Sequence, residues 1–64
     1  MSYGKTIKKY RLERKMTQVE LAKKAGLTDV WISHLENERR KPSLETAIKL
    51  ADALLITLDD LAGR

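Results

Sequence analysis

Residues 17–37, TQVELAKKAGLTDVWISHLEN, read as two short helices joined by a glycine turn, and their reading decides the fold. Both halves open alike: Met16-Thr17 is followed by Leu21, and Leu27-Thr28 by Ile32. In each, an apolar residue precedes a threonine N-cap, and a second apolar residue lies four places inside the helix. The threonine hydroxyl accepts from an orphan amide of the first turn, and the apolar pair staples the entry of the chain. Glu20, three residues after Thr17, completes a capping box. Gly26 supplies the positive φ that ends the first helix and lets the chain turn sharply. Ala22 is small where two crossing helices come close.

The same grammar extends outward. Helical periodicity predicts a helix from about Tyr3 to Arg14, with Ile7, Tyr10 and Arg11 on one stripe. The two central helices span about Gln18 to Ala25, burying Leu21, Ala22 and Ala25, and about Asp29 to Asn37. After Pro42, Ser43 caps a fourth helix whose Leu44, Ala47, Ile48, Ala51, Leu54 and Leu55 recur at helical spacing. Ile56-Thr57 followed by Leu61 repeats the staple and opens a short fifth helix, with Asp59 and Asp60 favourable near its positive end. No useful length alternates as a strand. The expectation is an all-α chain, five short helices around one core, forming a single domain over residues 1–64.

Composition narrows what such a domain does. Sixty-four residues support one small core of marginal stability. Without cysteine there is no disulfide framework and no thiolate zinc site. No apolar run approaches the roughly 18 residues of a membrane span, and no secretory segment opens the chain, so a cytoplasmic protein without membrane contact is expected. A lone histidine and the absence of a glycine-rich phosphate loop leave nothing for catalysis, a metal or a cofactor. The net charge of +4 is unevenly spread. Residues 1–41 carry eleven Lys/Arg against five Asp/Glu, whereas residues 42–64 carry two against four. The basic part coincides with the paired helices and the helix before them, which suits phosphate contact.

Turning the third helix at 100° per residue separates two jobs. Trp31, Ile32 and Leu35 cluster toward the core. Asp29, Val30, Ser33, His34 and Asn37 share the other side, where an ordinary surface helix of a basic protein would carry lysines. Hydrogen-bonding groups and one small apolar side chain suit a groove about 12 Å wide. This is the pattern of a helix-turn-helix that reads double-stranded DNA with its second helix.

The stretches IKKYRLERKMTQVELA, AGLTDVWISHLENERRKPSLETAIKLADAL and TLDDL resemble the lambda-repressor-like, Cro-type (xenobiotic-response-element) helix-turn-helix family, from about Ile7 to Leu61. The resemblance implies a five-helix DNA-binding domain, usually of a transcriptional regulator or repressor that binds a palindromic operator as a dimer. It implies base readout by Thr28, Asp29, Val30, Ser33 and His34. Gln18 matches the family's phosphate-clamping glutamine, with Thr17 presenting backbone amides to the same phosphate. Asn37, Arg39, Arg40 and Lys41 sit where the family meets the far backbone or the minor groove. Arg11 and Glu36 match an internal ion pair between the first and third helices. Lys8, Lys9, Lys23 and Lys24 read as diffuse electrostatics.

Three positions depart from the family pattern. Lys15, Glu38 and Leu55 stand where the family often has glycine; either those helices end differently here, or a left-handed non-glycine residue costs roughly 1 kcal/mol or more at each. Asp29 either accepts from cytosine N4 or only complements the helix dipole. One recognition helix reads too few base pairs to single out a genomic site, so a weak homodimer is expected. Its expected interface is the C-terminal apolar set Leu55, Ile56, Leu58 and Leu61, with Leu58 as the residue expected to stay exposed. The competing assignment is a protein-interaction module, an antitoxin with a toxin partner or a helical adaptor, in which DNA binding is secondary or absent.

Overall fold

A serine or threonine caps each of the five helices in the computed structural model, which describes residues 2–63. The helices are α1 (Tyr3–Glu13), α2 (Gln18–Ala25), α3 (Asp29–Glu36), α4 (Leu44–Leu54) and α5 (Leu58–Leu61), and no strand occurs among the described residues. Ser2, Thr17, Thr28, Ser43 and Thr57 each accept from the amide three residues on. At Thr17 and Thr57 the bond is reciprocal, with Glu20 and Asp60 accepting from the threonine amides at 3.0 and 3.2 Å.

The helix ends are equally uniform. After α1, α2, α3 and α4 the chain passes through a left-handed residue, at Lys15 (φ 55°), Gly26 (φ 70°), Glu38 (φ 59°) and Leu55 (φ 58°). The next amide then bonds back across the last turn: Met16 to Arg11, Leu27 to Ala22, Arg39 to His34 and Ile56 to Ala51, at 2.8–3.1 Å. This satisfies carbonyls that a helix end otherwise orphans. Only one of the four turns uses glycine, so three non-glycine residues carry the strain.

Helix α3 packs on α1 and α2, α4 closes over α2, and α5 bridges α4 and α1. Ile7, Leu21, Ile32, Leu35, Leu50 and Leu54 are fully buried at the centre. At about 25 cal/mol per Å², each such aliphatic side chain contributes about 1.5–3 kcal/mol. Trp31 is half-buried against this cluster.

Gly4 sets the spacing of α1 and α3. A Cβ there would lie 2.6 Å from Glu38 Cγ, 2.7 Å from the Leu35 carbonyl oxygen and 2.8 Å from that of Glu36. Backbone oxygens cannot move aside as a side chain can, so the approach requires glycine. Tyr3, next to it, donates its hydroxyl to the Arg40 carbonyl at 2.8 Å and ties the α3–α4 segment to α1.

Helix α4 departs from the expected stripe. Leu44, Ile48 and Leu55 are 70%, 42% and 83% exposed, while Leu50, Ala51 and Leu54 face the core. The helix carries two apolar stripes roughly a quarter-turn apart at 100° per residue. Spacing alone does not choose between them. Packing against α2 and α5 selects the stripe through Leu50.

Candidate nucleic-acid interface

Two side chains of α1 and α3 form the internal frame of the site. Arg11 Nε donates to Glu36 Oε2 at 2.6 Å, and Arg11 Nη2 donates to Glu36 Oε1 at 3.1 Å. Arg11 Nη1 also donates to the Met16 carbonyl at 2.8 Å, in the turn that leads into α2. The side chains are only 9% and 4% exposed. A bidentate pair whose third guanidinium nitrogen is also hydrogen-bonded is the geometry in which a buried ion pair is tolerated.

Gln18 joins this frame, a link that the spacing of the sequence did not signal. Its Nε2 donates to Glu36 Oε1 at 3.1 Å. One carboxylate thus ties α1, α2 and α3 and fixes the first side chain of α2. The second N–H of the same amide group is left for an external acceptor.

Thr17 plays a different part from the one expected. Its own amide donates to Glu20 Oε1 at 3.0 Å, and its hydroxyl accepts from the Glu20 amide at 3.1 Å. Thr17 therefore offers no free N–H to a phosphate. The uncommitted amides of that turn belong to Gln18 and Val19, which have no partner in the chain among the described residues. The Thr17 backbone and hydroxyl bonds hold the Glu20 carboxyl below its ordinary value, with Lys24 and Lys23 adding a smaller pull.

Helix α3 presents a graded outer face. Thr28 and Asp29 are exposed, and Val30 is 59% exposed. Ser33 and His34 lie lower, half-buried. Thr28 caps the helix, accepting from the Trp31 amide at 3.1 Å. Asn37, expected at the DNA backbone, is exposed and donates from Nδ2 to the Ser33 carbonyl at 2.9 Å, which leaves its Oδ1 uncommitted. Arg39, Arg40 and Lys41 follow, all exposed, along the segment that Tyr3 anchors.

The expected C-terminal interface is corrected in part. Leu61 is 3% exposed and belongs to the core, and Ile56 is half-buried against it. Both are the inner members of the staple around Thr57, so α5 consumes them in closing on α4. Leu55 and Leu58 remain outside, 83% and 41% exposed, and Leu55 is the more open of the two. Leu58 also lines an apolar groove of about 440 Å³ with Tyr3, Lys41, Pro42, Leu44 and Ala47.

No group of three or more metal-ligating side chains occurs among the described residues. None of the described helices is long and apolar enough to cross a membrane.

Comparison with known proteins places this geometry. The immunity repressor protein of Bacillus phage phi105 is 43% identical over 63 residues, covering 98% of this chain and 44% of the phage protein. The HTH-type transcriptional regulator ImmR of Bacillus subtilis strain 168 is 33% identical over the full chain, which covers 50% of that protein. The chain thus spans about half the length of these relatives. The P22 c2 repressor, solved in complex with a synthetic operator, superposes with a TM-score of 0.90 at 31% identity, over 95% of this chain and 92% of that one. The restriction-modification controller protein C.AhdI of Aeromonas hydrophila gives 0.90 at 30% identity, over 92% and 89%. The helix-turn-helix family profile matches residues 7–61. With its capped α2–α3 pair, its Arg11–Glu36 frame and this match over nearly its whole length, the chain belongs to the lambda-repressor-like, Cro-type helix-turn-helix family.

Proposed function

We propose that the chain is a sequence-specific DNA-binding regulator, acting as a repressor, that places α3 in the major groove of a palindromic operator as a weak dimer. The observation that carries this is the outer face of α3. It is a short mixed surface of Asp29, Val30, Ser33 and His34 on a rigid three-helix frame, with the exposed Arg39-Arg40-Lys41 segment beside it. The likeness to a repressor solved on an operator and to a phage immunity repressor supports it.

In this assignment the roles divide by chemistry. Gln18, held by Glu36, and the amides of Gln18 and Val19 meet one phosphate. Arg39, Arg40 and Lys41 meet the backbone on the far side of the groove. These contacts set register and supply the salt-dependent part of affinity. Asp29, Val30, Ser33 and His34 touch base edges and supply sequence preference. Leu55 and Leu58 form the centre of the dimer contact, extended by Leu44 and Ile48 on the exposed stripe of α4. A patch of this size suits a dimer that forms on DNA.

Selection of duplexes from a random-sequence pool, followed by binding at several salt concentrations, tests the proposal. A consensus with two related half-sites and a steep salt slope is expected. A shallow slope with random duplex would favour the interaction module, because charge neutralisation dominates any non-specific DNA binding.

A further inference from the structure

His34 lies low on the outer face of α3, half-buried, with its ring edge-on to Trp31 at a centroid distance of 6.4 Å and an interplanar angle of 79°. Among the described residues, its Nδ1 is the buried side-chain polar atom that finds no hydrogen-bond partner. In a neutral imidazole one ring nitrogen carries a hydrogen and the other can only accept. A hydrogen on Nδ1 would bury a donor with nothing to receive it, and orphaned buried N–H groups are rarer than orphaned acceptors. The hydrogen therefore belongs on Nε2, the nitrogen that is not enclosed.

We infer that His34 is a specificity-determining donor: its Nε2–H recognises an acceptor on a major-groove base edge, namely a purine N7, guanine O6 or thymine O4. The inference rests on α3 being the base-reading helix, as proposed above. It excludes cytosine N4 and adenine N6 as partners of His34, because both are donors. Val30, one turn earlier and 59% exposed, neighbours His34 at the i, i+4 spacing of a helix. Its methyl groups suit the C5-methyl of thymine. The pair thus fits an acceptor edge beside a thymine methyl. Asp29 has the opposite polarity and can only accept when ionised, so the two ends of the face ask for different base edges.

Glutamine and glutamate separate the two polarities at similar reach. Glutamine offers an amide N–H about as far from the backbone as histidine Nε2, whereas glutamate offers only acceptors. The probe is the duplex selected from a random pool by the wild-type chain, with a random duplex as reference, and the readout is the ratio of the two affinities. The ratio corrects for the extra charge of glutamate, which repels every duplex alike. We expect His34→Gln to keep the ratio within about threefold and His34→Glu to lower it about tenfold or more. Equal ratios for the two variants, or a lower ratio for glutamine, would overturn the assignment. Nitrogen-15 shifts of the ring in the wild-type chain, at a pH where it is neutral, read the tautomer directly. Hydrogen on Nε2 is expected, and hydrogen on Nδ1 overturns the inference whatever the DNA result. A pool that yields no consensus instead removes base readout by α3 altogether. That failure is distinct from a consensus that forms but does not order the two variants.

Discussion

Three left-handed residues and one crowded glycine make opposite demands on the backbone. Lys15 is exposed at φ 55° and closes α1 without a glycine. Because its side chain contributes no burial, Lys15→Gly should remove the strain and raise stability by about 1 kcal/mol, seen as a higher urea midpoint with unchanged slope. An unchanged or lower midpoint would show that the turn carries no strain. At Gly4 the sign reverses. Alanine there gains about 1 kcal/mol of helix propensity but drives a methyl into two backbone oxygens of α3, at a cost of about 1–3 kcal/mol or more. Gly4→Ala should therefore destabilise the fold, and a stability equal to wild type would refute the close approach. Glu20 adds a pH dependence. Its folded carboxyl is held below its ordinary value of 4.5, so the stability it contributes is fully present above 4.5 and lost as pH falls through the depressed folded value. Glu20→Gln removes the titrating carboxyl and should flatten the acid limb of stability against pH; an unaltered limb would show that this group contributes nothing to it.

Among the helices, the Glu36 carboxylate is the junction. It receives Arg11 from α1 and Gln18 from α2 while standing on α3. Removing either charge alone leaves the other buried and unpaired, at a cost of about 3–5 kcal/mol. Arg11→Ala and Glu36→Ala should each be strongly destabilising, and the double change should cost clearly less than their sum. Additive losses in a double-mutant cycle would mean the two side chains are not coupled in solution. Gln18→Ala leaves the ion pair intact, so its effect on stability should be small. On the proposed function it should nonetheless weaken binding to selected and random duplexes alike, because a phosphate contact is blind to sequence.

Across the whole molecule, the basic and acidic balances fall on different parts of the chain. The basic balance of residues 1–41 surrounds α2, α3 and the segment after them, and the acidic balance of residues 42–64 accompanies the exposed Leu44, Ile48, Leu55 and Leu58. On the proposed function, the duplex meets the first part and a second copy the other. Neutralising Arg39 and Arg40 together should flatten the dependence of log affinity on log salt by up to about two units. A preserved slope would remove those side chains from the phosphate contacts. For the other face, Leu55→Asp and Leu58→Asp should each lower occupancy of both half-sites together in a footprint. A single protected half-site at saturating protein, indifferent to these changes, would make the monomer the binding unit.

Signals that act within a few residues could be read directly from the chain. The caps at Thr17, Thr28, Ser43 and Thr57, the capping box of Glu20 and the turn at Gly26 depend on contacts spanning five residues or fewer, and each stands where the sequence placed it. The order of helices and the outward set on α3 follow from the same local periodicity. What required the folded chain is whatever depends on which surfaces meet. Leu44 and Ile48 follow helical spacing as well as Leu50 and Leu54 do, and only packing against α2 and α5 left the first pair outside, whereas Leu55 lies past the helix end in the left-handed turn. Leu61 passed from expected interface to core because its side of α5 closes on the other helices, while Leu58 on the same turn stays outside. The bond from Gln18 to Glu36 and that from Tyr3 to the Arg40 carbonyl span 18 and 37 residues, beyond any local pattern. Gly4 did leave a trace, a glycine inside an otherwise helical run, which commonly marks a close approach. Its partner, the last turn of α3, becomes visible only in three dimensions. Short-range hydrogen bonding and periodicity specify elements one at a time, whereas burial is a property of pairs of elements and exists only once they have come together.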